Sequence, residues 1–214
     1  MQLKTLIIAM NINTKNLRLG LIISVAIGIT IAITSLIIGK NDLFLLLNFN
    51  GGLIFDFFFK YLTHLGDGLV WILFLVYFLL TKKQKLIPFL TINFAVTTII
   101  SQIFKYIIMP YEPRPANAIT DHSLIHFVDG VTIHTISSFP SGHTATVFVF
   151  AFIIISLQKT NKLIVPILLM ACLVAYSRVY LAQHFPWDIT GGILIVTIPS
   201  VLISTWVQRK ISKK

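Results

Sequence analysis

The sequence predicts an all-α polytopic membrane protein, a bundle of six transmembrane helices, and three observations carry that prediction. Hydrophobic residues make up 56% of the 214-residue chain and charged residues 11%, well below the roughly 25% charged content of a soluble domain. Six charge-poor stretches approach the roughly 20 residues needed to cross about 30 Å of hydrocarbon. The 17 Lys and Arg residues stand in short clusters between those stretches, not along one polar face. The formal charge of +10 is therefore read as membrane anchoring, with no nucleic-acid partner. A soluble or disordered chain is excluded.

Residues 19–39, 86–104 and 189–208 are long enough to span by themselves. Residues 68–81, 144–158 and 163–177 reach spanning length only by taking in a polar end, Asp67, His143 and Arg178 respectively. A charge at membrane depth is costly and faces a bundle interior or a watery cavity, so these three ends are the first pointer to function. Residues 1–10 carry a short apolar patch without a small-residue cleavage pattern, and no cleaved signal peptide is expected. Residues 43–59 are apolar but interrupted by Asn48, Asn50, Gly51, Gly52 and Asp56. They are expected as helix fragments in the outer interface.

With six spans and the N-terminus inside, the inner segments hold Lys4, Lys15, Arg18, Lys82, Lys83, Lys85, Lys159, Lys162, Arg209, Lys210, Lys213 and Lys214, 12 of the 17 cations. That bias is the positive-inside rule. All seven acids and all six histidines fall on the other face. The expected organisation is one transmembrane domain over residues 1–214, with a cytoplasmic segment 1–18, a basic cytoplasmic tail 209–214 and a motif-bearing core at about 65–192. Cys172, the single cysteine, lies in an apolar run, which leaves no internal disulfide and no cysteine zinc site.

Three clusters converge on the outer face. Lys105 ends the third span and is followed by Tyr111-Glu112-Pro113-Arg114-Pro115. Pro140-Ser141-Gly142-His143 opens the fourth. Ser177-Arg178 closes the fifth, with His184 and Asp188 just beyond. Pro140 and Pro186 suit first helical turns, and Ser141 and Gly142 offer free backbone N–H groups to an anion. Lys105, Arg114 and Arg178 add charge-assisted donors matched to phosphate oxygens. His184 and Asp188, four apart, read as a nucleophile and its orienting carboxylate, and His143 as a general acid. Phosphoryl transfer asks mainly for positioning and charge neutralisation, and here cations stand where metal ions often do. Asp121, His122, His126, Asp129 and His134 form a rival metal reading, but no third-ligand pattern follows their His-x3-His spacing, and no metal or other cofactor is expected.

These residues resemble the type 2 phosphatidic acid phosphatase (PAP2) superfamily of membrane lipid phosphatases. Its signature is K-x6-R-P, then P-S-G-H, then S-R-x5-H-x3-D. The second and third parts match in full, while the first departs from the pattern, with eight residues between Lys105 and Arg114. The resemblance implies metal-independent attack by His184 to form a phosphohistidine, with Asp188 steadying it and His143 protonating the leaving group. Lys105, Arg114, Ser141, Gly142 and Arg178 then hold the phosphate. It further implies an inner (plasma) membrane protein with both termini cytoplasmic and a periplasmic or extracytoplasmic site. The implied substrate is a phospholipid or polyprenyl phosphate: undecaprenyl pyrophosphate, phosphatidylglycerophosphate or phosphatidate. Two alternatives use the same residues, a lipid A phosphatase and a lipid-to-lipid phosphotransferase. A third, a phospholipid or phosphate transporter, requires charges running through the bundle to the inner face, and only the flanking lysines are present there.

Overall fold

The computed structural model describes residues 12–82, 84 and 87–212, and side chains as far as residue 202 except that of residue 89. The expected cations Lys4, Lys83, Lys85, Lys213 and Lys214, the segment 1–10, and the side chains of Arg209 and Lys210 lie outside the described residues. Helices, turns and loops make up all of the described chain. In order they are α1 (Thr14–Ile38), α2 (Lys40–Leu47), α3 (Leu53–Leu62), a 3-10 turn (Thr63–Gly66), α4 (Val70–Leu80) and α5 (Ile87–Ile103), which continues into a π turn (Phe104–Ile108). Then come single turns at Pro115–Ala118 and His122–Leu124, α6 (Gly142–Leu157), α7 (Ile164–Tyr180) and α8 (Pro186–Ser212). Each of the six apolar stretches read from sequence coincides with one helix, and 43–59 forms the two short helices α2 and α3, parted at Asn48, Asn50, Gly51 and Gly52.

The helix opened by Pro-Ser-Gly-His is the axle of the bundle. From Ala145 to Ile155, α6 buries nearly every side chain, Phe148, Phe150 and Phe152 among them. A helix apolar all round belongs in a core, and α1, α5, α7, α8 and the 3-10 turn all pack on it. Ser141 caps its N-terminus, accepting from the Thr144 N–H, which satisfies one of the orphan donors of the first turn. Its floor is tied to α1, since the Asn13 N–H donates to the Ser156 carbonyl at 2.7 Å.

The outward faces tell the opposite story. Ile22, Leu36, Ile37, Leu73 and Leu80 are each more than two-thirds exposed, an apolar surface far too continuous for water. Two helices, Thr14–Ile38 and Leu90–Ile108, are long and apolar enough to cross a membrane. The pair Leu53–Gly66 and Val70–Leu80, bent by 60°, forms a third if taken as one broken span, and Gly142–Leu157, Ile164–Tyr180 and Pro186–Leu202 are shorter apolar helices. The chain is a membrane protein built of helices.

Candidate active site

Two glycines bring the second and third sequence clusters together. A Cβ on Gly192 would lie 2.8 Å from the Ser141 carbonyl and 2.8 Å from Thr144 Cβ, and one on Gly191 would lie 2.3 Å from the Phe139 ring. Only glycine lets the start of α8 press this closely on the start of α6. The Ser141 N–H then donates to the Asp188 carbonyl at 3.0 Å. Above Gly142 the space is open, so the N-terminal end of α6 meets a cleft.

His184 lies in the turn between α7 and α8, held by its N–H to the Arg178 carbonyl at 3.1 Å. Its Nδ1 is 3.4 Å from Asp188 Oδ2, and both residues are buried. Burial first, then the positive charges of Arg114, Lys105 and Arg178, push the His184 imidazole well below its ordinary value of 6.5, so the ring is neutral. Asp188 Oδ2 also accepts from the Ser138 hydroxyl and from the Phe185 N–H at 2.9 Å. Ser138 is a residue the sequence reading missed. It lies two positions before Pro140, and nothing in its spacing to Asp188 announces the contact.

The three cations surround this pair. Arg114, buried in its loop, donates through Nε to the Ile136 carbonyl at 2.9 Å and through Nη1 to the Gln183 carbonyl at 3.0 Å. Its burial lowers its pKa, with Asp188 acting against that shift. Arg178, projecting from the last turn of α7, donates through Nη1 to Thr63 Oγ1 at 2.7 Å, while its buried Nε has no partner. An unpaired buried guanidinium donor is costly. Lys105 sits in the π turn, where Arg114, Asp188 and Arg178 all act on it. A turn at Met109 to Glu112 leads from there to Arg114.

His143 completes the set. It lies in the first turn of α6, two residues after Ser141, whose N–H meets the Asp188 carbonyl. Its Nε2 is 2.7 Å from Asp67 Oδ1, a partner that was noted in sequence only as a polar span end. All eight residues predicted as a site, Lys105, Arg114, Ser141, Gly142, His143, Arg178, His184 and Asp188, therefore stand at one end of the bundle. The rival loop histidines disperse. His122 Nε2 donates to the Ala116 carbonyl, His126 Nε2 pairs with Asp56 Oδ1 at 2.8 Å, and exposed His134 lies toward the cations, its pKa lowered by burial and then by Arg114, Arg178 and Lys105. Among the described residues no three of His, Cys, Asp or Glu gather as a metal centre requires.

Comparison with known proteins agrees with this geometry. The PAP2 superfamily model matches residues 88–212. Undecaprenyl-diphosphatase from Sulfolobus acidocaldarius is 30% identical over 74% of this chain and 74% of its own. Undecaprenyl-diphosphatase BcrC of Bacillus subtilis is 32% identical over 48% of this chain, and the match spans only 50% of that relative's length. The crystal structure of Aquifex aeolicus LpxE superimposes with a TM-score of 0.64 at 30% identity, covering 76% of this chain and 92% of that one. With a family match over more than half its length, and with that family's histidine, arginine and lysine residues gathered at one end of its bundle, this chain belongs to the PAP2 superfamily of phosphatases.

Proposed function

We propose that the protein hydrolyses the terminal phosphate of a membrane lipid, with undecaprenyl pyrophosphate as the leading substrate, through a phosphohistidine and without a metal ion. The observation that carries this reading is the buried His184, 3.4 Å from Asp188 Oδ2, with Arg114 bonded to the neighbouring Gln183 carbonyl. The substrate assignment rests on the two relatives named undecaprenyl-diphosphatase.

Arg114, Arg178 and Lys105 take the charge of the phosphoryl oxygens, with the start of α6 at Gly142 open to supply a further N–H donor; the Ser141 N–H, expected free from the sequence, is taken by the Asp188 carbonyl. The lone pair on His184 Nε2 attacks phosphorus. The bond from phosphorus to the leaving oxygen breaks, its electron pair staying on that oxygen, which takes a proton from His143. Water then attacks the phosphohistidine and gives its proton to His143. Inorganic phosphate leaves, and both imidazoles return to their starting state. Asp188 keeps the His184 ring aligned throughout.

The same reading makes the chain one domain of six spans, the bent α3–α4 pair counting as one, with α2 and the outer part of α3 at the interface. The termini lie on the cytoplasmic side of the inner (plasma) membrane, a placement the positive-inside bias of the cations supports, and the site opens outward. The test is a phosphate-release panel in detergent with EDTA present, comparing undecaprenyl pyrophosphate, phosphatidylglycerophosphate, phosphatidate and lipid A. Undecaprenyl pyrophosphate is expected to turn over fastest, vanadate to block release, and His184→Ala to abolish it. Undiminished turnover by His184→Ala overturns the mechanism, and label passing to a second lipid instead of to free phosphate overturns hydrolysis.

A further inference from the structure

The nucleophile His184 has its carboxylate in Asp188, and the structure places a second carboxylate on the other imidazole. Asp67, in the turn between Gly66 and α4, has Oδ1 2.7 Å from His143 Nε2 and Oδ2 2.7 Å from His64 Nδ1. We propose that Asp67 is the positioning residue of the general acid, clamped by His64 so that it holds the His143 ring in place and stabilises it in the protonated form. This inference rests on the phosphatase reading above and deepens it.

Two observations support the assignment beyond the contact itself. The turn is built to stay against His143, since a Cβ on Gly66 would lie 2.9 Å from His143 Cβ and 3.1 Å from the His143 carbonyl. Any residue but glycine pushes the turn, and Asp67 with it, off the imidazole. His143 and Asp67 also share the wall of a cavity of about 190 Å3, lined as well by Phe94, Ser101, Gln102 and Thr146, so the pair meets open space and not packed side chains. A carboxylate in contact with an imidazole favours its charged form.

The proton balance assigns Asp67 a specific step. His143 surrenders a proton when the phosphorus–oxygen bond breaks and recovers one from water when the phosphohistidine is hydrolysed, so Asp67 need not carry protons itself. Its effect falls on leaving groups that require protonation. An alkoxide does, whereas 4-nitrophenolate departs as a stable anion.

The experiment is a single-turnover comparison of dodecyl phosphate and 4-nitrophenyl phosphate with purified full-length protein in detergent. For Asp67→Asn the dodecyl ester is expected to slow about 100-fold or more, within the range of general acid catalysis. The nitrophenyl ester should change less than about threefold, with KM for both little altered. His143→Ala should show the same selectivity, and the double variant should be no slower than His143→Ala alone. Asp67→Glu should recover part of the dodecyl rate. If Asp67→Asn does not fold, as judged by thermal unfolding, Asp67→Glu carries the comparison, with the dodecyl ester slowed about tenfold and the nitrophenyl ester spared. Equal slowing of both esters, or an effect additive with His143→Ala, overturns the role of Asp67 while leaving the phosphatase intact. Turnover that survives His184→Ala overturns the underlying mechanism and this inference with it.

Discussion

Replacing Ser138 by alanine tests whether the proposed nucleophile, His184, depends on a hydrogen bond that no signature contains. The Ser138 hydroxyl donates to Asp188 Oδ2 where both side chains are fully buried. The same oxygen keeps the Phe185 N–H at 2.9 Å and faces His184 Nδ1 at 3.4 Å. Its longest contact is thus the one to the imidazole, so the carboxylate's aim depends on the two donors that pin it. A hydrogen bond to a charged group contributes about 1.5–3 kcal/mol, which corresponds to a rate loss of about 10- to 100-fold if the interaction is fully expressed in the transition state. KM should change little, because Ser138 touches the carboxylate and not the cations that hold phosphate. The assay is rapid-quench trapping of labelled phosphohistidine, with thermal unfolding in detergent to show that the fold persists. Phosphohistidine formed within twofold of the wild-type rate refutes the reasoning and leaves Ser138 a packing residue.

Four further outcomes follow from the same geometry. Because burial and the three cations hold the His184 imidazole below its ordinary value of 6.5, its nucleophilic form survives acidification, and phosphorylation by 4-nitrophenyl phosphate should stay flat from about pH 8 to about pH 6. An acid limb centred at the ordinary histidine value contradicts that. Thr63→Ala removes the acceptor of a buried Arg178 N–H at 2.7 Å and should lower stability by about 1.5–3 kcal/mol, read as a fall in Tm. Arg114→Lys cannot reproduce the paired bonds to the Ile136 and Gln183 carbonyls, so kcat/KM for any lipid phosphate should drop at least about tenfold. Gly192→Ala forces a Cβ to within 2.8 Å of the Ser141 carbonyl and should cost about 1–3 kcal/mol, visible as lower Tm together with lower activity.

Much of the bundle was legible in the sequence because the membrane imposes it. A chain crossing hydrocarbon must satisfy its backbone internally, so apolar stretches of the right length become helices, and 19–39, 144–158 and 163–177 map onto α1, α6 and α7. Even the break in 43–59 was visible, since Asn48, Asn50, Gly51 and Gly52 favour a turn over a continuous helix. The site residues were legible for a different reason. Asp67, His143 and Arg178 are polar ends that cost energy at membrane depth and so point to a cavity, whereas His184 and Asp188 were read from their spacing of four and from the family signature.

What the sequence alone determined is therefore which candidate side chains stand at which helix ends. Tertiary structure decided what holds those side chains: Ser138 on Asp188 across 50 residues of chain, Thr63 on Arg178 across 115, and Asp67 on His143. It also decided that α6 is the central helix, packed by four others and the 3-10 turn. The division has a physical origin. Hydropathy and helix periodicity act over the few residues of a turn or a span, whereas a serine, threonine or aspartate becomes a partner only when the packing of separate helices delivers it to within about 3 Å of a charged group.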